Sequence, residues 1–242
     1  MYVNLENKVI VLTGASGIIG NSISKVLLSY GAKLVLQYNS NMPTCVMNNK
    51  TNKIVMVKAD ITKYCDVKNV YFEALNEFEQ VDVLINNAGI EKDASIDLLD
   101  IQDWNNVINT NLTGTFYCCK VFSEIMKNQN HGKIINISSI KGLNGSKFQS
   151  NYSASKAGVL SLTKSLAKEL GDYNISVNSV CPAFIKTNLN NYSNEKFRAS
   201  EKSSVLKRKN TLHTLNRFIA FMCSDDFDGV SGQNFILDSR II

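Results

Sequence analysis

Tyr152 and Lys156 stand four residues apart in the stretch NYSASKAG, residues 151 to 158, and their types and spacing could move a proton. Side chains four residues apart share one face of a helix. A neighbouring ammonium lowers the pKa of a phenol, whose ordinary value of about 10 is too high for proton exchange at neutral pH. The pair therefore predicts a phenol that donates and accepts a proton. An ordinary pair on a helix surface is the alternative.

The runs around this pair predict an α/β fold. Seven short β-branched runs are predicted strands: KVIVLT (8–13), KLVLQ (33–37), IVMVK (54–58), DVLI (82–85), KIINIS (133–138), ISVNSV (175–180) and NFIL (234–237). They are apolar throughout, which is typical of strands covered on both faces. Helical patterns separate them. This alternation predicts a single Rossmann-type doubly wound domain over residues 1–242, with a seven-stranded, mostly parallel sheet and helices on both faces.

Local signals predict where three of the helices begin or end. One helical pattern starts at Ile18 and ends at a cap at Gly31. A second begins with a capping Thr62, and a third ends at Gly171. Ligands of a doubly wound sheet bind beyond the carboxyl ends of its strands, so the loops after the strands are where a site is expected.

The loop after the first predicted strand is rich in glycine. It reads TGASGIIG, residues 13 to 20, with glycines at 14, 17 and 20. Glycines let a backbone turn sharply and approach a diphosphate, and the N-terminus of the following helix supplies amide donors. The turn predicts a dinucleotide site, and a structural turn without a ligand is the alternative.

Together with this turn, five further phrases resemble the short-chain dehydrogenase/reductase family across most of the chain. They are KADIT, NNAG, NTNLTGTF, INISS and YSASK, in that order. The chain departs from the family pattern at Ile18, which stands where ordinary members have a glycine, and at Ala183, which follows Pro182 in place of a glycine. Near its C-terminus it has Ser239 and Arg240 where the family usually has two glycines.

The resemblance implies hydride transfer between a nicotinamide and a carbonyl or alcohol. The catalytic residues that the resemblance implies are Asn111, Ser139, Tyr152 and Lys156. Ser139 is chosen over Ser138 because it lies thirteen residues before Tyr152, as in the most similar members. Tyr152 is expected to exchange the proton, Ser139 to bind the carbonyl oxygen, and Lys156 to hold the nicotinamide ribose. Asn111 is expected to anchor a water that leads protons from the lysine to solvent.

The resemblance also implies a set of cofactor contacts. Asp60 is expected beside the adenine, and the NNAG phrase under the adenine ribose. The full set is Gly14, Ser16, Gly17, Ile19, Gly20, Asp60, Ile61, Asn87, Ala88, Gly89, Tyr152, Lys156, Pro182, Ile185 and Thr187.

The end of the second predicted strand bears on the choice of cofactor. It reads QYNS, residues 37 to 40, without a carboxylate to bind the ribose hydroxyls of NAD. A 2′-phosphate would meet no repulsion there, which favours NADP(H). No arginine is present to bind that phosphate, so NAD(H) is the alternative.

Within the family, the phrases GKIINISSIKG, NYSASKAGVLSLTKSLAKEL and AFMCSDDFDGVSGQ are most similar to 3-oxoacyl-[acyl-carrier-protein] reductases. The resemblance implies reduction of 3-oxoacyl thioesters, with an acyl carrier protein as a candidate partner and a substrate lid at about 188–210. Two alternatives stay open. One is another alcohol, sugar or ketone dehydrogenase of the family, and the other is a dinucleotide-sensing protein without turnover.

Composition excludes other classes of protein. A net charge of +5, much of it in residues 196–209, is too low for an expected nucleic-acid partner. The apolar runs are too short to cross a bilayer, and the N-terminal one leads into the glycine turn, so a cytoplasmic protein is expected. The six cysteines and two histidines lack metal-ligand spacing, so no metal site is predicted. Family analogy predicts a homotetramer or homodimer. The apolar stripe in residues 107–126 fits such a contact and fits core packing equally well.

Overall fold

The computed structural model describes residues 3–44, 53–182, 184–185, 202, 204–206 and 211–239. The strands within these residues are β1 (Val9–Leu12), β2 (Lys33–Tyr38), β3 (Ile54–Lys58), β4 (Val83–Asn86), β5 (Gly132–Ile137), β6 (Ile175–Pro182) and β7 (Asn234–Leu237). They form one sheet in the order β3-β2-β1-β4-β5-β6-β7. Every neighbouring pair is parallel.

Helices connect the parallel strands. They are α1 (Ile18–Ser29), α2 (Tyr64–Phe78), α3 (Ile101–Ile108), α4 (Gly114–Gln129), α5 (Lys141–Asn144), α6 (Ser150–Leu170) and α7 (Leu212–Cys223). A π-helical turn, Asn109–Thr113, joins α3 to α4, and short 3₁₀ turns follow α6 and α7. The predicted doubly wound α/β fold is confirmed.

The core lies on both faces of the sheet, which explains why the central strands are mostly apolar. In β1, Ile10 and Leu12 belong to the cluster that packs against α1 and α7, while Val11 between them belongs to the cluster under α2 and α4. Successive side chains of a strand point to opposite faces, so a strand covered on both sides needs an apolar residue at every position. Phe122 of α4 and Leu27 of α1 are fully buried representatives of the two layers.

Of the predicted helix ends, the start of α2 is corrected and the cap of α1 is confirmed. Thr62 does not cap α2, which begins at Tyr64 after an N-cap at Lys63 that makes no side-chain bond. The hydroxyl and amide of Thr62 instead donate to Asp60 Oδ1, at 2.8 and 3.0 Å. The hydroxyl that was expected to cap α2 is therefore bonded to the aspartate. The predicted cap at Gly31 is confirmed. Helix α1 ends at Ser29, and Gly31 beyond it has a φ of 95° and donates to Leu28 O, while Ala32 N donates to Leu27 O.

Some predicted features fall outside the described residues. These are Ala183, Thr187, Arg240 and nearly all of the predicted lid at 188–210. Within the described part of the chain, no helix is both long and apolar enough to cross a membrane. In the same residues, no group of three or more His, Cys, Asp or Glu side chains is placed to hold a metal ion.

Candidate active site

A cleft of about 1000 Å³ opens at the carboxyl edge of the sheet. Its walls come from the segments that follow β1 to β6, where the topology brings distant motifs together. The lining includes every predicted site residue except Asn111 and Thr187. Thr187 is not among the described residues. Asn111 is fully buried next to the cleft.

The three glycines of the first turn differ in whether the surrounding structure leaves room for a Cβ atom. Gly14 has a φ of 64°, and a Cβ there would lie 2.7 Å from Ala88 Cα. A Cβ on Gly20 would lie 2.9 Å from Asn87 Nδ2 and nearer still to the turn's own backbone. A Cβ on Gly17 would meet only Gly14 O, at an ordinary 3.5 Å. The fold therefore requires Gly14 and Gly20. Gly17 instead leaves open space at the N-cap of α1 for a ligand to approach.

This difference predicts opposite results for two alanine substitutions. Gly17→Ala should leave the melting temperature nearly unchanged but weaken dinucleotide binding about tenfold or more, because its methyl group enters the approach to the helix N-terminus. Gly14→Ala should lower the melting temperature by roughly 5 °C or more, because it combines a left-handed residue with a steric contact. Thermal melts and cofactor titration separate the two effects. Equal destabilisation by both variants would contradict this assignment.

Gln37 holds the glycine turn in place from the end of β2. Its Oε1 accepts the amide of Gly14 at 2.8 Å, and its Nε2 donates to Ala59 O at 2.6 Å. Only 2% of the residue is exposed, so its side chain serves the fold. The neighbouring cleft wall is formed by uncharged residues, Asn39, Ser40 and Asn41.

The candidate catalytic side chains converge at the other end of the cleft. Tyr152 and Lys156 lie one turn apart on α6, and Ser139 follows β5. The Ser139 hydroxyl accepts the amide of Lys141 at 3.2 Å and lies near the Tyr152 side chain, in the lining of the same cleft. Lys156 is 5% exposed, and its Nζ donates to Ile137 O at 2.8 Å and lies 5.8 Å from the centre of the Tyr152 ring.

The ionisation of this group differs from the sequence-based expectation. Burial raises the pKa of Tyr152, the charge of Glu91 raises it further, and the nearby Ser139 hydroxyl opposes them. Burial lowers the pKa of Lys156 to about 8. The expected lowering of the phenol pKa by the lysine is therefore not found, because desolvation disfavours the charged forms of both groups. A phenol with a raised pKa keeps its proton at neutral pH, which suits a proton donor.

Asn111 lies in the π-helical turn and binds protein groups on two sides. Its Oδ1 accepts the amide of Ile90 at 2.8 Å, and its Nδ2 donates to Ile90 O at 2.9 Å and to Ser155 Oγ at 3.1 Å. The side chain thereby ties the loop after β4 to α6. The predicted role in anchoring a water stays a prediction, and the amide seen here has a positioning role.

Sequence reasoning missed three polar residues around Tyr152. Glu91 and Lys141 line the cleft, and the Lys141 ammonium lies 5.6 Å from the centre of the Tyr152 ring. Buried Gln149 lies at the N-cap of α6, one turn before the tyrosine. The only signal in the sequence was nearness to a motif, since Glu91 follows NNAGI directly and Lys141 comes two residues after Ser139.

A parallel doubly wound sheet that joins a glycine turn to a serine, tyrosine and lysine group defines a dinucleotide-dependent oxidoreductase. The profile of the short chain dehydrogenase family matches residues 8–198. The chain therefore belongs to the short-chain dehydrogenase family. It is an oxidoreductase that acts on CH–OH groups and binds a nicotinamide dinucleotide.

Several named proteins are similar to the chain. A 3-oxoacyl-[acyl-carrier-protein] reductase of Synechocystis is 38% identical over 190 residues, which cover 76% of this chain and 77% of the relative. The 3-oxoacyl-[acyl-carrier-protein] reductase FabG of Thermotoga maritima is 35% identical over 243 residues, covering 98% and 99%. The crystal structure of gox2181 superposes with a TM-score of 0.91 at 27% identity, covering 99% of this chain and 98% of that one.

Proposed function

We propose that the protein reduces 3-oxoacyl thioesters with NADPH. The observation that carries this proposal is the convergence of Ser139, Tyr152 and Lys156 in the same cleft as the glycine turn. Relatives over nearly the whole chain carry the name 3-oxoacyl-[acyl-carrier-protein] reductase, which supports the choice of substrate.

The residues present fit a nicotinamide dinucleotide. The open N-cap at Gly17 suits a diphosphate, and the buried ammonium of Lys156 suits a ribose hydroxyl. When bound, the nicotinamide supplies the hydride. The hydroxyls of Ser139 and Tyr152 would hold the substrate carbonyl oxygen, and Tyr152 would give its proton to that oxygen as negative charge develops on it.

The adenosine end of the cleft supports NADP(H) over NAD(H). Gln37 is engaged in the fold, and the wall beside it, Asn39 to Asn41, offers hydrogen-bonding groups without a carboxylate. A 2′-phosphate would be accepted without repulsion, while NAD would lack the usual acidic partner for its ribose.

An acyl carrier protein as substrate donor and a homodimer or homotetramer are part of the same proposal. The apolar stripe predicted in residues 107–126 gives the oligomer little support, because Cys118, Cys119, Val121 and Phe122 of α4 are buried inside the subunit. Phe116 on the same helix is 40% exposed and is a candidate contact residue. The oligomer therefore rests on family analogy.

The proposal is tested by following the oxidation of NADPH and NADH with acetoacetyl-CoA, beside a panel of simple ketones and keto sugars. We expect turnover with the thioester and a preference for NADPH. Turnover confined to a ketone or a sugar would contradict the proposed thioester substrate but would support carbonyl reduction as the reaction. Tight cofactor binding without turnover on any substrate would favour a dinucleotide-sensing protein.

A further inference from the structure

The cleft contains an ammonium group to which the proposed reaction gives no role. Among the described residues that line the cleft, the charged ones are Asp60, Glu91, Lys141 and Lys156. Asp60 is expected beside the adenine, and Lys156 is proposed to hold the nicotinamide ribose. The ammonium of Lys141 lies 5.6 Å from the centre of the Tyr152 ring. This position beside the reacting groups places it where the substrate must bind.

The backbone of Lys141 is held against the catalytic group from two directions. Its amide donates to Ser139 Oγ at 3.2 Å, and the next amide, that of Gly142, donates to Ser139 O at 3.0 Å. Gly142 also packs directly on α6, because a Cβ there would lie 2.7 Å from the carbonyl carbon of Lys156 and 2.8 Å from the amide nitrogen of Ala157. The start of α5 is therefore fixed between the serine proposed to hold the carbonyl oxygen and the helix that carries the proton donor.

The proposed substrate offers an acceptor for this ammonium. A 3-oxoacyl thioester has two carbonyl groups, joined through a single CH₂ group, and Ser139 and Tyr152 hold the oxygen of only one of them. A lysine ammonium has three donors on a flexible four-carbon stem. Lys141 can therefore donate to the second oxygen, that of the thioester, while the first oxygen stays at the serine and the tyrosine.

A carboxylate in the same part of the cleft indicates that this acceptor is neutral. Glu91 lines the cleft, and its Oε2 accepts Gln149 Nε2 at 3.2 Å, at the N-cap of the helix that carries Tyr152. A free carboxylate of a substrate would meet repulsion from Glu91, whereas the carbonyl oxygen of a thioester carries no net charge. The pair of Lys141 and Glu91 thus suits a thioester better than a 3-oxo acid.

We propose that Lys141 is a specificity-determining residue that binds the thioester carbonyl oxygen of a 3-oxoacyl thioester. The inference rests on the proposed function and deepens it, because it names the contact by which the site selects that substrate. A substrate held at both oxygens presents its 3-oxo carbon in one orientation. A simple ketone has no second oxygen and gains nothing from the lysine.

The test compares two matched substrates in the parent protein and in Lys141→Met. One is the acetoacetyl thioester of N-acetylcysteamine, and the other is the keto thioether in which a CH₂ group replaces the thioester carbonyl. Neither carries a phosphate or a charge. With NADPH, we expect Lys141→Met to lower kcat/KM by roughly ten- to a hundredfold for the thioester and by less than about threefold for the thioether. Lys141→Arg keeps a charged donor and should lose less than Lys141→Met.

A second measurement needs no turnover. The 3-hydroxybutyryl thioester of N-acetylcysteamine keeps the thioester carbonyl and cannot react in the presence of NADPH. Its binding to NADPH-saturated protein should weaken in Lys141→Met by a similar factor, while NADPH affinity and melting temperature stay unchanged. Lys147→Met is the matched control for all measurements, because Lys147 is an exposed lysine between α5 and α6 and lies outside the cleft lining.

The outcomes separate this inference from the proposed function. Equal losses of kcat/KM for thioester and thioether, or unchanged binding of the 3-hydroxy thioester, would overturn the role of Lys141 and leave the reaction in place. A loss seen with acetoacetyl-CoA but not with the N-acetylcysteamine thioester would assign the lysine to the phosphates of CoA and overturn the inference as well. A parent protein that reduces the thioether but not the thioester would overturn the proposed substrate, and this contact with it.

Discussion

Replacing Tyr152 by phenylalanine is expected to lower kcat for carbonyl reduction by roughly 10²- to 10⁴-fold, the usual contribution of a positioned acid. The ring and its packing on α6 are kept, and only the hydroxyl that holds the proton is lost. Ser139 keeps a hydroxyl beside the carbonyl oxygen, so substrate binding should change much less than turnover. Steady-state kinetics with NADPH and the best substrate measure both quantities.

Cofactor binding and stability separate a chemical effect from a structural one. The Tyr152→Phe protein should bind NADPH with an affinity close to that of the parent and melt at a similar temperature. Tyr173→Phe is the matched control, because Tyr173 is 41% exposed and lies outside the cleft lining. If both variants keep full activity, Tyr152 is not the proton donor.

Replacing Lys156 by methionine is expected to reduce both turnover and dinucleotide affinity. Methionine has a similar length and suits a buried position, but it removes the ammonium that lies between Ile137 O and the Tyr152 ring. A charged donor to a hydroxyl is worth about 1.5–3 kcal/mol, which corresponds to a loss of affinity of roughly ten- to a hundredfold. Turnover should fall by about 10²-fold or more.

Titration of NADPH and saturating kinetics measure the two losses independently. Lys164→Met serves as control, since Lys164 is an exposed residue on the same helix. A Lys156→Met protein that binds NADPH normally would refute the ribose contact. Normal turnover at saturating cofactor would refute a role in the chemistry.

The fold could be predicted because burial on both faces requires apolar residues along the central strands. Ile10, Val11 and Leu12 are all apolar although they belong to different core layers, and short runs of this kind predict a parallel sheet. The glycine turn and the strand-end motifs could be placed because parallel strands bring their carboxyl ends to one edge. The start of α2 was less predictable. The Thr62 hydroxyl donates to Asp60 Oδ1 instead of capping the helix, and the residue types alone did not indicate this local bond.

The electrostatics of the site could not be predicted from spacing. Gln149 and Glu91 are 58 residues apart, and only the crossover between β4 and α6 brings them together. The direction of the Tyr152 pKa depends on how much water is excluded from the ring and on which carboxylates face it. Neither the exclusion of water nor the facing carboxylates can be inferred from the four-residue spacing between Tyr152 and Lys156. That spacing by itself predicted a lowered phenol pKa.

The π-helical turn at Asn109–Thr113 has a consequence for comparing related chains. A π turn accommodates one more residue than an α turn, and each residue of an α-helix rotates the following side chains by about 100°. Removing one residue here would allow a regular helix. It would also turn Asn111 away from Ile90 or lift Phe122 out of the core. A homologue with a one-residue gap at this place would thus have a rearranged site even if all its other motifs aligned.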